Sequence, residues 1–141
     1  MIDNNLVLSD AQAPTTGTTA STNVFDSQTA TRDIGGGKGI ELIVQVATTC
    51  TSGGSNTTQV VLQDSADNSS FTTVLSGVAT AVASLTAGTE LLRVRLPAGL
   101  RRYIRVAYVI AVADLTAGAF NAYLAIDRQN NVARPSGFTV L

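Results

Sequence analysis

The sequence predicts an all-β fold, an antiparallel β-sandwich or jelly roll of about seven or eight short strands. Apolar residues alternate with polar ones in several segments, which is the period of strands that bury one face. Gly, Pro, Asn and Asp stand between these segments, as turns require, and no long segment has the 3.6-residue period of a helix. The chain has four Phe, three Tyr and no Trp, so the core must come mainly from Val, Leu and Ile.

Six segments carry the strand pattern most clearly: residues 40–48, 59–64, 71–75, 90–96, 101–111 and 120–127. The pair Val24 and Phe25 predicts a short early strand, whereas residues 77–85 fit either a short helix or a strand edge. In the three longest segments one face is predicted to enter the core. Its members are Ile40, Leu42, Val44, Val46, Ile104, Val106, Tyr108, Ile110, Phe120, Ala122, Leu124 and Ile126.

Polar connections are predicted at residues 15–23, 28–39, 49–58 and 65–70. The second contains GGGKG at residues 35–39. A phosphate-binding P-loop needs Ser or Thr after its lysine and a helix beyond it. Here Gly39 takes that place and a strand follows, so we interpret the run as a flexible connection.

An octet recurs in the chain: AVASLTAG at residues 81–88 returns as AVADLTAG at residues 111–118. Only Ser84 and Asp114 differ, and each copy leads into a predicted strand. Two copies are too few for a solenoid, so we interpret them as two similar turn-to-strand entries in one sandwich. If only the second entry faces an arginine, Asp114→Ser is expected to cost stability or assembly and Ser84→Ala is not.

Length and charge narrow the function classes. The 141 residues fit one domain, 1–141, with one sizeable core. Charged residues make up 13% and the net charge is −1, which argues against nucleic acid and against anionic membrane surfaces as partners. No apolar run approaches the roughly 20 residues of a spanning helix. The first residues carry Asp3 and no apolar centre, so no secretory signal is predicted.

The sequence predicts no enzyme, no cofactor and no metal centre. It contains no His, so Cys50 and the serines lack the usual base, and Cys50 is interpreted as a small residue near a strand end. Asp64, Asp67 and Asn68, with Ser65 and Ser69, offer oxygens to a calcium ion, but the spacing matches no EF-hand loop and the acids are few. An Asx-type turn is the favoured interpretation, and ion binding stays open.

Two kinds of contact residue are predicted. Five arginines flank the turn at residues 97–99, where opposed strands would align Arg93 and Arg95 with Arg102 or Arg105 and so call for carboxylates of this chain or of a partner. Apolar patches near both termini suggest an N-terminal arm and loop (1–22) and a C-terminal arm (128–141) that either reach a partner or add edge strands to their own sandwich. The predicted contacts are Leu6, Val7, Leu8, Arg93, Arg95, Arg102, Arg105, Arg134, Phe138 and Val140.

Four segments together carry a resemblance to a known family. They are MIDNNLVLSDAQAPTTGTTASTNVFD at the start, ELIVQVATT, VVLQDSADNSSFTTV and LRRYIRVAYVIAVADLTAGAFNAYLAIDRQ. In this order they resemble the capsid cement, or decoration, proteins of tailed double-stranded DNA bacteriophages, of the small jelly-roll type found with some short-tailed phages. The similarity extends over nearly the whole chain, and no single motif in it is diagnostic.

The resemblance implies a structural protein, made in the host cytoplasm, on the outer face of the virion capsid. It implies binding to the major capsid protein, bridging of neighbouring subunits and a homodimer or homotrimer, and it supplies no catalytic residue. The alternative is a carbohydrate- or receptor-binding sandwich of a phage tail or head fibre, which the lack of Trp disfavours. Neither the oligomer nor the copy number on the capsid follows from the sequence.

Overall fold

The computed structural model describes residues 6–28 and 39–126, and within them the chain forms strands and turns without any α-helix. The GGGKG run, apart from Gly39, and the predicted C-terminal arm lie outside the described residues. The residues Val82–Ser84 form a 3-10 turn. The strands are β1 (Val7–Gln12), β2 (Gly17–Ala20), β3 (Phe25–Asp26), β4 (Ile40–Ser52), β5 (Thr57–Ser65), β6 (Thr72–Ser76), β7 (Thr80–Ala81), β8 (Glu90–Arg95), β9 (Tyr103–Ala111) and β10 (Leu115–Ile126).

The strands form two antiparallel sheets. One has the order β1-β10-β4-β8; the other has the order β2-β9-β5-β6, with β3 beside β9 and β7 beside β5. The pairs are nested, because β1 pairs with β10, β2 and β3 with β9, β4 with β8, and β5 with β6. A long hairpin rolled up in this way is a jelly roll, so the predicted all-β sandwich is confirmed.

The inner faces of the two sheets form one hydrophobic core. Every residue of the predicted inward face of β9 is buried there, and the rings of Tyr108 and Phe120 stack with centroids 5.1 Å apart. Ile126, predicted to lie with them, is 62% exposed because it ends β10 beyond the core. The largest fully buried side chains are Tyr108, Phe120, Leu8, Leu42, Ile43, Leu62, Leu85, Ile104, Leu124, Val44, Val46 and Val60.

Several residues on outward faces, where alternation predicts exposure, are buried. Ile43 is fully buried between Tyr123 and Arg93, which stand opposite it on the adjacent strands. On the other sheet, Val61 and Ala107 are paired neighbours and are also buried. A central strand therefore covers part of its outer face with the side chains of its neighbours.

Sequence patterning misses several strand boundaries. β4 continues to Ser52 and β10 begins at Leu115 because the two strands pair along this stretch, which shortens the predicted connection at 49–58 to residues 53–56. The predicted loop at 15–23 contains β2, a four-residue edge strand of Gly, Thr and Ala that has no apolar alternation. The ambiguous stretch at 77–85 becomes β7 and the 3-10 turn.

In its described part, the predicted N-terminal arm adds an edge strand to its own sandwich. Leu8 is fully buried in the core, Leu6 packs against it, and Val7 pairs with Tyr123 as β1 joins the edge of its own sheet. Of the two alternatives open for this patch, the structure shows the edge strand. The reason is that the end of β10 offers unpaired backbone groups along which β1 adds.

The two copies of the octet lie on opposite sides of β4. In the first copy, Leu85 accepts a hydrogen bond from the Cys50 backbone N–H at 2.9 Å. In the second copy, Leu115 pairs with Ser52 on the other edge of the same strand. Leu85 and Leu115 are both buried, so the repeated leucines close the same end of the core from two sides.

Candidate interaction surface

The arginines predicted to face one another belong to different sheets. β8, with Arg93 and Arg95, pairs with β4, whereas β9, with Arg105, pairs with β5. The alignment across the turn at 97–99 is therefore wrong. The turn crosses from one sheet to the other, and the buried side chains of Leu96 and Leu100 fix it at the end of the core.

Three arginines are held by acids of the same chain. Arg93 Nε lies 3.1 Å from Glu41 Oε2 on the neighbouring strand. Arg102 holds both oxygens of Asp26, with Nε–Oδ1 at 2.7 Å and Nη2–Oδ2 at 2.9 Å. The hydrogen bonds from Arg102 and from the Gln28 backbone keep the pKa of Asp26 below its usual value. Arg93 and Arg102 are therefore paired within the chain, which is one of the two alternatives that the sequence left open.

The acid of the Arg101–Asp64 pair is the most buried of the three acids, with a side chain that is 9% exposed. Arg101 donates from Nε and Nη2 to Asp64 Oδ1 at 2.9 and 2.6 Å, and its backbone N–H donates to Oδ2 at 2.9 Å. Burial raises the pKa of Asp64, but these hydrogen bonds outweigh it, so the pKa lies below its usual value. The pair ties the loop before β9 to the end of β5.

Arg105 is held differently. Its guanidinium carbon lies 3.7 Å from the centroid of the Phe71 ring, and its Nε donates to Gln63 Oε1 at 2.8 Å. Burial lowers the pKa of Arg105. Within residues 6–28 and 39–126 it has no carboxylate partner. Arg95 also has no acid there, but it is exposed and makes no such contacts.

Asp67 stabilises the turn that follows β5. Asp67 Oδ1 accepts from the backbone N–H groups of Ser69 and Ser70 at 2.9 and 2.8 Å and from Ser65 Oγ at 2.8 Å. The hydrogen bonds from Ser70 and Ser69 lower the pKa of Asp67 to about 2. Asn68 has a left-handed φ of 58°, which Asn tolerates in turns. The described residues hold no group of three or more His, Cys, Asp or Glu suited to a metal ion.

Cys50 lies inside the fold. Its side chain is buried, and burial raises the pKa of its thiol. Gly118 passes so close that a Cβ on it would lie 2.4 Å from Cys50 Sγ. Tyr108 is also buried, and burial raises the pKa of its hydroxyl to about 12, although the neighbouring Ser9 hydroxyl acts to lower it.

The predicted contact residues that the structure describes therefore do not form one surface. Leu8 belongs to the core, Arg93 and Arg102 have acids, and Arg134, Phe138 and Val140 lie outside the described residues. Phe71 and Gln63, which position Arg105, were not predicted. The register of β5 against β9 sets Gln63 opposite Arg105, and no short spacing in the sequence indicates that pairing.

Comparison with known proteins gives one result. No curated protein matches the chain. No helix of the described residues is both long and apolar enough to cross a membrane. The family model Bbp16 matches residues 8–124, from the first strand almost to the end of the last. The chain belongs to the Bbp16 family.

Proposed function

We propose that the chain is a cement protein of a tailed bacteriophage, which binds the outer surface of the major capsid shell, bridges neighbouring subunits and stabilises the mature head. The observation that carries the proposal is the jelly-roll strand order, which is the fold that the sequence resemblance implies. One fold can support many functions, so the choice of this function depends also on the order of the four segments that resemble cement proteins.

The surface also supports a protein partner better than a sugar. Carbohydrate sites commonly present open aromatic faces, but two outward rings are covered by cations. The Arg105 guanidinium lies over Phe71, and that of Arg102 lies 4.8 Å from the centroid of Tyr103. These rings are unavailable for stacking on a sugar, which disfavours the tail or head-fibre module.

The proposal is tested on purified capsids stripped of this protein and emptied of DNA. Saturable co-sedimentation, together with shells that resist heating or dilution better after binding, is the expected result. A protein that stays in the supernatant at micromolar concentration contradicts the proposal. Binding of the isolated protein to a glycan array, without binding to shells, would favour the alternative function.

The proposed partners include a second copy of the chain. We expect a homodimer or homotrimer, and light-scattering mass measurement distinguishes these two from a monomer. A protomer mass near 14.5 kDa in solution would restrict self-association to the capsid, where shell symmetry can impose it.

A further inference from the structure

Arg105 is the described arginine that is positioned without being neutralised. The ring of Phe71 supports one face of its guanidinium at 3.7 Å, and Gln63 fixes the Nε edge at 2.8 Å. Gln63 is itself steadied by Thr73, whose Oγ1 lies 3.4 Å from Gln63 Nε2. A long side chain held in this way has already lost much of its rotamer freedom, so ordering it on binding costs less conformational entropy.

The contacts of Arg105 leave its terminal nitrogens unused. In the described residues neither Nη1 nor Nη2 has an acceptor, whereas Arg101 and Arg102 each use Nε and Nη2 on a carboxylate. The two nitrogens at the end of a guanidinium form a planar fork that fits a carboxylate through two parallel hydrogen bonds. Arg105 thus has the donors and the restraint of a bidentate site without the acid.

The surroundings of the fork fit a protein surface. Strand β6, at the edge of the sheet beside it, contains no charged residue and exposes Thr72, Thr73 and Val74. The nearby cations Arg101 and Arg102 are already paired with Asp64 and Asp26, so the described residues form no basic patch suited to a polyanion such as DNA around Arg105. A single carboxylate matches the one cation that has no acid there.

We propose that Arg105, supported by Phe71 and Gln63, is a docking point for an acidic side chain of the protein partner. The inference rests on the proposed function, because the partner it invokes is the capsid shell. This proposal narrows the predicted arginine contacts of the described residues to Arg105 and withdraws Arg95, which is exposed and lies on the other sheet.

The test compares variants in binding to the stripped shells described above. Arg105→Gln is expected to weaken binding about tenfold or more, and Arg105→Lys nearly as much, since lysine keeps the charge but loses the fork. Phe71→Leu, which keeps Arg105 but removes the aromatic support, is expected to weaken binding about two- to fivefold. Arg95→Gln is the matched control: it removes the same charge from an exposed, unrestrained side chain, and binding is expected to change less than about twofold.

The acid on the shell is tested by amidating the surface carboxylates of the shells. Wild-type protein should then bind as weakly as Arg105→Gln, and Arg105→Gln should lose nothing further. If Arg105→Gln keeps its unfolding temperature and binds shells as tightly as the wild type, the docking point is overturned and the proposed function stays intact. Competition by DNA for the Arg105-dependent binding also overturns it. No shell binding by the wild-type protein removes both proposals.

Discussion

The two copies of the octet share seven of eight residues, yet they treat their valines in opposite ways. In the first copy Val82 lies in the 3-10 turn and packs against the core. In the second copy Val112 is 81% exposed and has a left-handed φ of 74°. The leucines do not differ, since both are buried beside β4. The shared leucines therefore pack in the same way against β4, whereas the element that precedes each copy determines the conformation of its valine.

The turn that holds Val112 is fixed from several sides. Asn56 donates from Nδ2 to the Ala113 carbonyl, Ser52 Oγ donates to the Asp114 carbonyl at 2.7 Å, and the Leu115 N–H donates to Thr15 at 2.9 Å. A left-handed conformation costs about 1–2 kcal/mol for an L-residue and is least favourable for a β-branched one. The second copy accepts this cost because β9 must turn directly into β10, whereas the first copy follows the short strand β7.

The largest effects should come from the leucines. Leu85→Ala and Leu115→Ala are each expected to lower the free energy of unfolding by about 2–5 kcal/mol, because both side chains close the core beside β4. Urea unfolding measures the change, with the exposed Val78→Ala as a control that stays near the wild-type value. A loss below about 1 kcal/mol for one leucine would mean that the two copies do not share the same role.

Substitution of the final glycine of each copy is expected to have different costs, because only Gly118 lies against another strand. Gly118→Ala places a Cβ 2.4 Å from Cys50 Sγ and 2.9 Å from its Cα. Overpacking together with the left-handed φ should cost about 3 kcal/mol or more. Gly88→Ala meets nothing within 4 Å, so only its φ of 88° counts, at about 1 kcal/mol.

Thermal unfolding of the two alanine variants compares the costs at the two glycines. Adding Cys50→Ala to Gly118→Ala should recover part of the loss by removing the sulfur, although the clash with the Cα stays. Equal destabilisation by Gly118→Ala and Gly88→Ala would contradict the close approach of β10 to β4.

The same substitution at the two valines should change stability in opposite directions. Val112→Asn is expected to raise the free energy of unfolding by about 1 kcal/mol, because Asn tolerates the left-handed conformation. Val82→Asn should lower it by about 1 kcal/mol, because it removes apolar contact with the core. Chemical denaturation of the two variants side by side gives the signs, and a destabilising Val112→Asn would refute the strain at this turn.

The smallest effect belongs to the one position at which the octets differ. Asp114 makes no ion pair within the described residues, and it accepts the hydrogen bond from Ser52 Oγ at its backbone carbonyl. The condition for an arginine partner is therefore not met. Asp114→Ser and Ser84→Asp should each change the unfolding free energy by less than about 0.5 kcal/mol. A loss above 1 kcal/mol for Asp114→Ser alone would restore a structural role for this carboxylate.

Alternation in the sequence was enough to predict the class of fold and the inner faces of β4 and β9. It did not reveal β2, whose Thr-rich edge has no apolar period, nor the burial of Ile43 on an outer face. The contact of Arg105 with Phe71 joins residues far apart in the chain, because β9 pairs with β5 and β5 pairs with β6, which begins just after Phe71. Nested pairing of this kind depends on long-range contacts, so local patterns predict strands better than they predict sites.

The proposed function requires this sandwich to bind the outside of a phage capsid. Electron cryomicroscopy of stripped shells saturated with the protein tests it most directly. We expect the sandwich as ordered density on the outer surface at local symmetry positions, touching more than one shell subunit, with the Arg105 face of β9 turned toward the shell. Shells that remain bare at saturating protein, or density confined to a tail or fibre, would contradict the claim.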